Sequence, residues 1–161
     1  MDLFETIRKR RSVRNYTGEP IPRAHLEQIV EAARWAPSGY NKQPWEFVVV
    51  TRREVIEQLA AAANWMDKAG AIVAVVIDPT AKFWIEDGSA AIVNMLLAAT
   101  ALGYGSCWLE GYTLRMEDEL KRLLNIPDSR RLLSLVPLGV PVEWPEQTKK
   151  SLDEVLRWET Y

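Results

Sequence analysis

The run Arg8-Lys9-Arg10-Arg11-Ser12-Val13-Arg14 gathers five cations in seven residues around one small hydroxyl. Guanidinium groups bind phosphate monoesters through paired, charge-assisted hydrogen bonds, and a neighbouring serine can add a short neutral one. The run therefore carries the donors that a phosphate-bearing ligand needs. Leu3, Phe4 and Ile7 before it have the spacing of one helix face, and a helix continued through the run sets Arg10 and Arg14, four apart, on one side. The alternative is a solvated basic helix end, which the macrodipole favours. A second stretch with ligand-gripping character is Trp35 to Trp45. Its two prolines, glycine, serine and asparagine, with Gln43, predict a fixed loop that presents backbone N–H groups and short polar side chains. The same composition also suits a rigid connector from helix to strand.

Other chemistries find little support. The single cysteine, Cys107, leaves no intrachain disulfide framework and no Cys-rich metal site, and the single histidine, His25, speaks against a His-based one. No Ser-His-Asp set suggests itself. Gly103-Tyr104-Gly105 lacks the third glycine of a dinucleotide fingerprint and has its strand and helix in the wrong order. Seven tryptophans are many for this length. Trp65, Phe83, Trp84 and Trp108 could wall a pocket for a flat ligand or simply fill the core.

The elements that must position these residues alternate. A second helix begins near Pro22 and ends near Ala36, with Leu26, Ile29, Val30 and Ala33 as its stripe. Continuous apolar runs at 47–51 and 71–77 predict buried strands, with a helix over 54–63 between them. A long helix over 86–102, apolar around most of its circumference, should run through the middle of the molecule or an interface, with Gly103 as its C-cap. A short strand at 105–109, a helix over 115–124 and a strand over 132–138 follow. After Pro141 the chain turns polar, yet it ends in Leu152, Val155, Leu156 and Trp158, which must pack on something, such as a second subunit. The expected class is α+β, a three-layer α/β/α arrangement with a central mixed sheet flanked by helices.

At 161 residues a single domain over 1–161 is expected. A net charge of -2 keeps the basic cluster local and argues against a general nucleic-acid binder. No signal-peptide pattern is visible, and the most apolar stretch, Ala90 to Leu102, is too short to cross a bilayer. A cytoplasmic protein with no membrane or nucleic-acid partner is the expectation.

Four motifs in order, Arg10-Arg11-Ser12-Val13-Arg14, Ala36 to Trp45, Leu102 to Trp108 and Lys149 to Val155, resemble the FMN-dependent nitroreductase family over essentially the whole chain. The resemblance implies a homodimer with two noncovalent FMN molecules at the subunit interface, and a tail over 142–161 exchanged with the partner subunit. It implies that Arg10, Arg11, Ser12 and Arg14 serve the phosphate, the ribityl chain and the pyrimidine edge. Arg14 is then the candidate stabiliser of reduced flavin. Pro37, Ser38, Gly39 and Asn41 would reach the flavin from the other subunit, and Glu110 and Gly111 would pass near N5. Lys149 would close on the phosphate, where relatives often have arginine, and Lys150 is a further candidate. Relatives often have a further asparagine or lysine after the second helix-strand connection, and Asn64 and Lys68 lie near that position. The implied activity is an oxidoreductase with no catalytic side chain beyond the flavin: NAD(P)H reduces it and leaves, then a nitroaromatic, quinone or similar flat acceptor enters. A specialised enoate reductase, dehalogenase or flavin-fragmenting enzyme is the alternative within the fold. A nucleic-acid-binding module built on the basic cluster is the alternative outside it. The stretches 78–86 and 112–116 leave little room for the helical excursion that covers the site in longer relatives.

Overall fold

A computed structural model describes all residues 1–161. Its elements are α1 (Leu3–Lys9), α2 (Arg23–Arg34), β1 (Trp45–Val50), α3 (Arg53–Leu59), β2 (Ala71–Ile77), α4 (Trp84–Ala101), β3 (Gly105–Ser106), α5 (Gly111–Arg115), α6 (Glu117–Leu124), β4 (Arg131–Gly139) and α7 (Leu152–Val155). The strands form one sheet in the order β1-β2-β4-β3, and all three ladders are antiparallel. Parallel pairing, the other half of the expected mixed sheet, enters only as the isolated bridge between Ser12 and Ser106.

Strand β2 lies at the centre and is buried at every position. Its side chains alternate between two cores, as a strand covered on both faces requires. Ala71, Val73, Val75 and Ile77 meet α2 and α4 residues such as Ile29, Ile92 and Met95. Ile72, Ala74 and Val76 meet Val13, Ile56, Leu59 and Leu120 on the other side. These are the three layers. A bulge opposite Val75 and Val76 shifts the alternation of β4, so that Leu133 joins the α4 core while Leu132 joins the other. Helix α4 comes so close to the sheet that a Cβ on Gly88 would collide with Leu133 and Ile77.

The structure departs from the sequence expectation in three places. Helix α1 stops at Lys9, because Arg10 turns to φ -54 and ψ 129, and Arg10 and Arg14 are not one helical turn apart. The reason lies three residues on: Val13 is buried, and its N–H donates to the Ser106 carbonyl at 2.9 Å, so this segment is needed as sheet rather than helix. Strand β1 is an edge strand with four of its six residues exposed or only partly covered, not a fully buried one. The helix expected over 115–124 begins at Glu117, after a break at Met116 that ends a separate short helix, α5, and lets Glu117 turn toward β4. The start of the tail is held by its own chain. The Val142 N–H donates to the Asn15 carbonyl at 3.1 Å, and Lys9 lies over the Trp144 ring. Beyond Trp144 every residue is exposed. No helix is long and apolar enough to cross a membrane.

Candidate functional site

The segment from Arg10 to Arg14 runs extended along β3, pinned by the Val13–Ser106 bond and the Ser12–Ser106 bridge. Gly105 permits this approach, since a Cβ there would strike the Val13 side chain. The sheet thereby brings the basic segment beside Ser106, Cys107 and Trp108, and leads on to Glu110 and Gly111 at the start of α5.

The three arginines have different surroundings. Arg11 turns back onto its own chain, where Nη1 donates to the Arg8 carbonyl at 2.6 Å and the Arg10 carbonyl at 2.8 Å. It thus caps the carbonyl end of α1. Arg10 is half-buried and Arg14 exposed, and neither belongs to any of the ion pairs in the protein. Arg14 lies over the Trp65 ring at 5.8 Å, which sets it against the Asn64–Lys68 turn. Both free arginines act on Cys107. Burial pushes this thiol up, while Arg14, a hydrogen bond from Ser12 and then Arg10 pull it down, and burial prevails.

Unused donors concentrate here. The protein has three buried side-chain polar atoms without a partner: Arg11 Nε, Ser106 Oγ and Trp108 Nε1. All three can donate; Arg11 sits in the basic segment, Ser106 in the strand beside it, and Trp108 two residues beyond, with its ring on the α4 core. Buried donors left unpaired are uncommon and call for an acceptor. Two unpaired cations and three unpaired donors suit a ligand rich in anionic and carbonyl oxygens. A Cβ at Gly111 would meet nothing in this chain, so the backbone there is open to close approach. FMN, with its phosphate and pyrimidine carbonyls, fits this donor set.

The loop holding Pro37, Ser38, Gly39 and Asn41 lies elsewhere in the chain, against the start of α4. Tyr40, Asn41 and Gln43 have φ of 54°, 55° and 48°, a left-handed run that non-glycine residues rarely adopt. The Gly39 N–H donates to Asp87 Oδ1 at 2.8 Å. No hydrogen bond joins this loop to the Arg10–Arg14 segment, so one chain does not assemble the two halves that the resemblance places around one ligand. Lys149 and Lys150 are exposed and form no hydrogen bond or ion pair. The four candidate aromatics are also apart: Trp65 packs with Arg14, Phe83 with Gly39 and Tyr40, Trp84 under Arg131, and Trp108 on the α4 core. Sequence reasoning missed Asp87 and Ser106. An acid near a helix start is ordinarily explained by the helix dipole, which hid the first, and only the missing partner marks the second.

A sequence model described as "Nitroreductase family" matches residues 7–78 and 65–140. A protein of Archaeoglobus fulgidus, provisionally named an NADH dehydrogenase/NAD(P)H nitroreductase, is 39% identical over 150 residues, spanning 87% of this chain and 86% of its own length. The iodotyrosine deiodinase of Nematostella vectensis is 27% identical over 195 residues, spanning 96% of this chain and 74% of its own. Among solved structures, a provisionally assigned nitroreductase of Desulfovibrio desulfuricans in complex with FMN superposes with a TM-score of 0.88 at 31% identity, covering 100% of this chain and 98% of that one. With the matched segments covering the sheet, both helical layers and the basic segment, the chain belongs to the nitroreductase family of oxidoreductases.

Proposed function

We propose that the chain binds FMN noncovalently and uses NAD(P)H to reduce flat electrophilic acceptors, such as nitroaromatics or quinones, in a ping-pong cycle in the cytoplasm. The single observation that carries this reading is that two partnerless buried donors, Arg11 Nε and Ser106 Oγ, belong to the segment with the two unpaired arginines and to the strand bridged to it, with a third, Trp108 Nε1, two residues along the chain. When bound, FMN supplies the hydride chemistry, which no side chain of this protein offers. Arg10 and Ser12 hold the phosphate by charge-assisted and neutral hydrogen bonds. Arg14 sets a positive charge against the pyrimidine edge, where negative charge appears on reduction. Arg11 acts mostly through the backbone it caps. Gly111 lets the chain come close to the ring system, and Glu110 leads into that turn.

The site is completed by a second copy of the chain. Pro37, Ser38, Gly39 and Asn41 come from the partner, and so does the tail with Lys149 and Lys150. Two observations support a homodimer. Leu3, Phe4 and Ile7 on α1 and Val93 on α4 are left exposed, and so are Leu152, Val155 and Trp158 in the tail. Moreover, the loop and the basic segment are separate within one chain.

Steady-state kinetics test the reading. Flavin-loaded protein should oxidise NADH or NADPH only with an acceptor, and double-reciprocal plots against a quinone should be parallel. No acceptor-dependent oxidation with any quinone or nitroaromatic would overturn it. A second reading, reductive dehalogenation, is favoured by the similarity to iodotyrosine deiodinase over 96% of this chain. Iodide release from iodotyrosine under the same conditions, faster than quinone reduction, would put it first.

A further inference from the structure

Asp87 stands where few acids are found. It is 5% exposed, on the long helix α4, and belongs to none of the protein's ion pairs. A buried carboxylate without a cation needs donors, and the donor here is the Gly39 N–H at 2.8 Å. That bond reaches from α4 to the loop with the least favourable backbone in the molecule. Tyr40, Asn41 and Gln43 all have left-handed φ, a conformation that persists only when the surroundings over-determine it. The loop's other side-chain bonds are internal: the Gln43 N–H donates to Ser38 Oγ at 3.0 Å, and Gln43 Nε2 to the Asn41 carbonyl at 3.3 Å. They shape the loop without attaching it.

Packing cannot attach it alone. Gly39 touches the Phe83 ring so closely that a Cβ has no room. Beside this contact, however, a cavity of about 300 Å³ opens between Gly39, Tyr40, Lys42, Phe83 and Asp87. One hydrogen bond and one ring contact therefore set the loop's place on α4.

We infer that Asp87 is a positioning residue for the cofactor: by holding the Gly39 N–H it fixes the Pro37–Asn41 loop in the geometry that the FMN site across the dimer requires. This rests on the proposed function. An acceptor oxygen at this position is what matters, rather than the charge.

The test uses the full-length D87N, D87L and G39A proteins. FMN affinity is measured by fluorescence titration, and exchange of the Gly39 amide by NMR. Asparagine keeps an acceptor oxygen, so D87N should bind FMN within roughly threefold of the parent. D87L, with the same branching at Cγ but without an acceptor, should bind roughly tenfold or more weakly, with Gly39 exchanging faster by a similar factor. G39A pushes the same loop from the Phe83 side, and the D87L and G39A effects should fail to add. Parental affinity in D87L overturns the inference, as does a D87N protein that is as impaired as D87L. Should D87L fail to fold, the other two decide: G39A must bind weakly while D87N binds like the parent, and any other pair of results overturns the inference. A parent protein that binds no FMN overturns the proposed function, and this inference with it. A parent that binds FMN as tightly as D87L does overturns this inference alone.

Discussion

Replacing Arg10, Arg11 and Arg14 by alanine, one at a time, should produce three different defects from three neighbouring residues. Arg11 gives two hydrogen bonds to carbonyls at the end of α1, so its loss should act on stability. Two partly exposed bonds are worth about 1–3 kcal/mol together. In a domain of this size that lowers Tm by roughly 2–10 °C. Arg10 has no ion pair in the protein, so removing it breaks none within the chain. It should leave Tm nearly unchanged but remove a charge-assisted bond to phosphate of about 1.5–3 kcal/mol, weakening FMN binding by roughly 10- to 150-fold. Arg14 is exposed and rests on Trp65, so solvent screens it and its effect on the bound cofactor should be modest. About 0.5–1.5 kcal/mol lost from the reduced state alone corresponds to a midpoint potential lower by roughly 10–30 mV in a two-electron couple. Calorimetry, FMN titration and redox titration of the three proteins separate the roles. If Arg14→Ala weakens FMN binding but leaves the potential of bound flavin unchanged, Arg14 is one more phosphate ligand, and the division of labour is wrong. If Arg11→Ala lowers affinity with no loss of Tm, the capping role is wrong instead.

Removal of residues 145–161 should leave the fold intact, since nothing beyond Trp144 is buried, but weaken both dimer and flavin binding; a truncated protein that stays dimeric and fully flavinylated in light scattering and absorbance contradicts this. Glu117 joins α6 to β4 through Arg131 Nε at 2.8 Å and the Leu132 N–H at 2.9 Å. Burial pushes its carboxyl up, but the hydrogen bonds from Arg131 and Leu132 and the charges of Arg131 and Lys121 hold it below its ordinary value. Its contribution is thus present above the unfolded carboxylate range and is lost as pH falls through the depressed folded value. Glu117→Gln should therefore flatten the acid limb of a Tm-against-pH curve below about pH 4, and an unchanged limb refutes the assignment. Burial keeps the Cys107 thiol protonated at neutral pH, so iodoacetamide should label it only after unfolding, and labelling of the folded protein within minutes argues against the packing described.

The parts of the fold legible in the sequence were those with one dominant local cause. The run 71–77 is strand from end to end because every residue is apolar and both faces are covered. Gly103, with φ 87°, ends α4 as a left-handed cap should. What the sequence hid was decided by distant partners. Nothing local tells Arg10 to leave the helix; the need of Val13 for Ser106 does. The pattern of β1 reads as a buried strand, but its place at the sheet edge leaves Val49 39% exposed. The residue types of the basic segment are what suggest a phosphate ligand, while the difference between Arg11 and its neighbours lies in where each side chain turns. Asp87 carries no local signal, because its partner, Gly39, lies 48 residues earlier.

The measurement that bears most directly on the central claim is the visible spectrum of the purified full-length protein, followed by identification of whatever pigment denaturation releases. The account predicts a yellow protein whose released cofactor is FMN, about one per chain, and whose colour bleaches when NADH or NADPH is added without oxygen. A colourless protein that takes up no FMN on soaking would contradict it, and so would one that carries FAD instead.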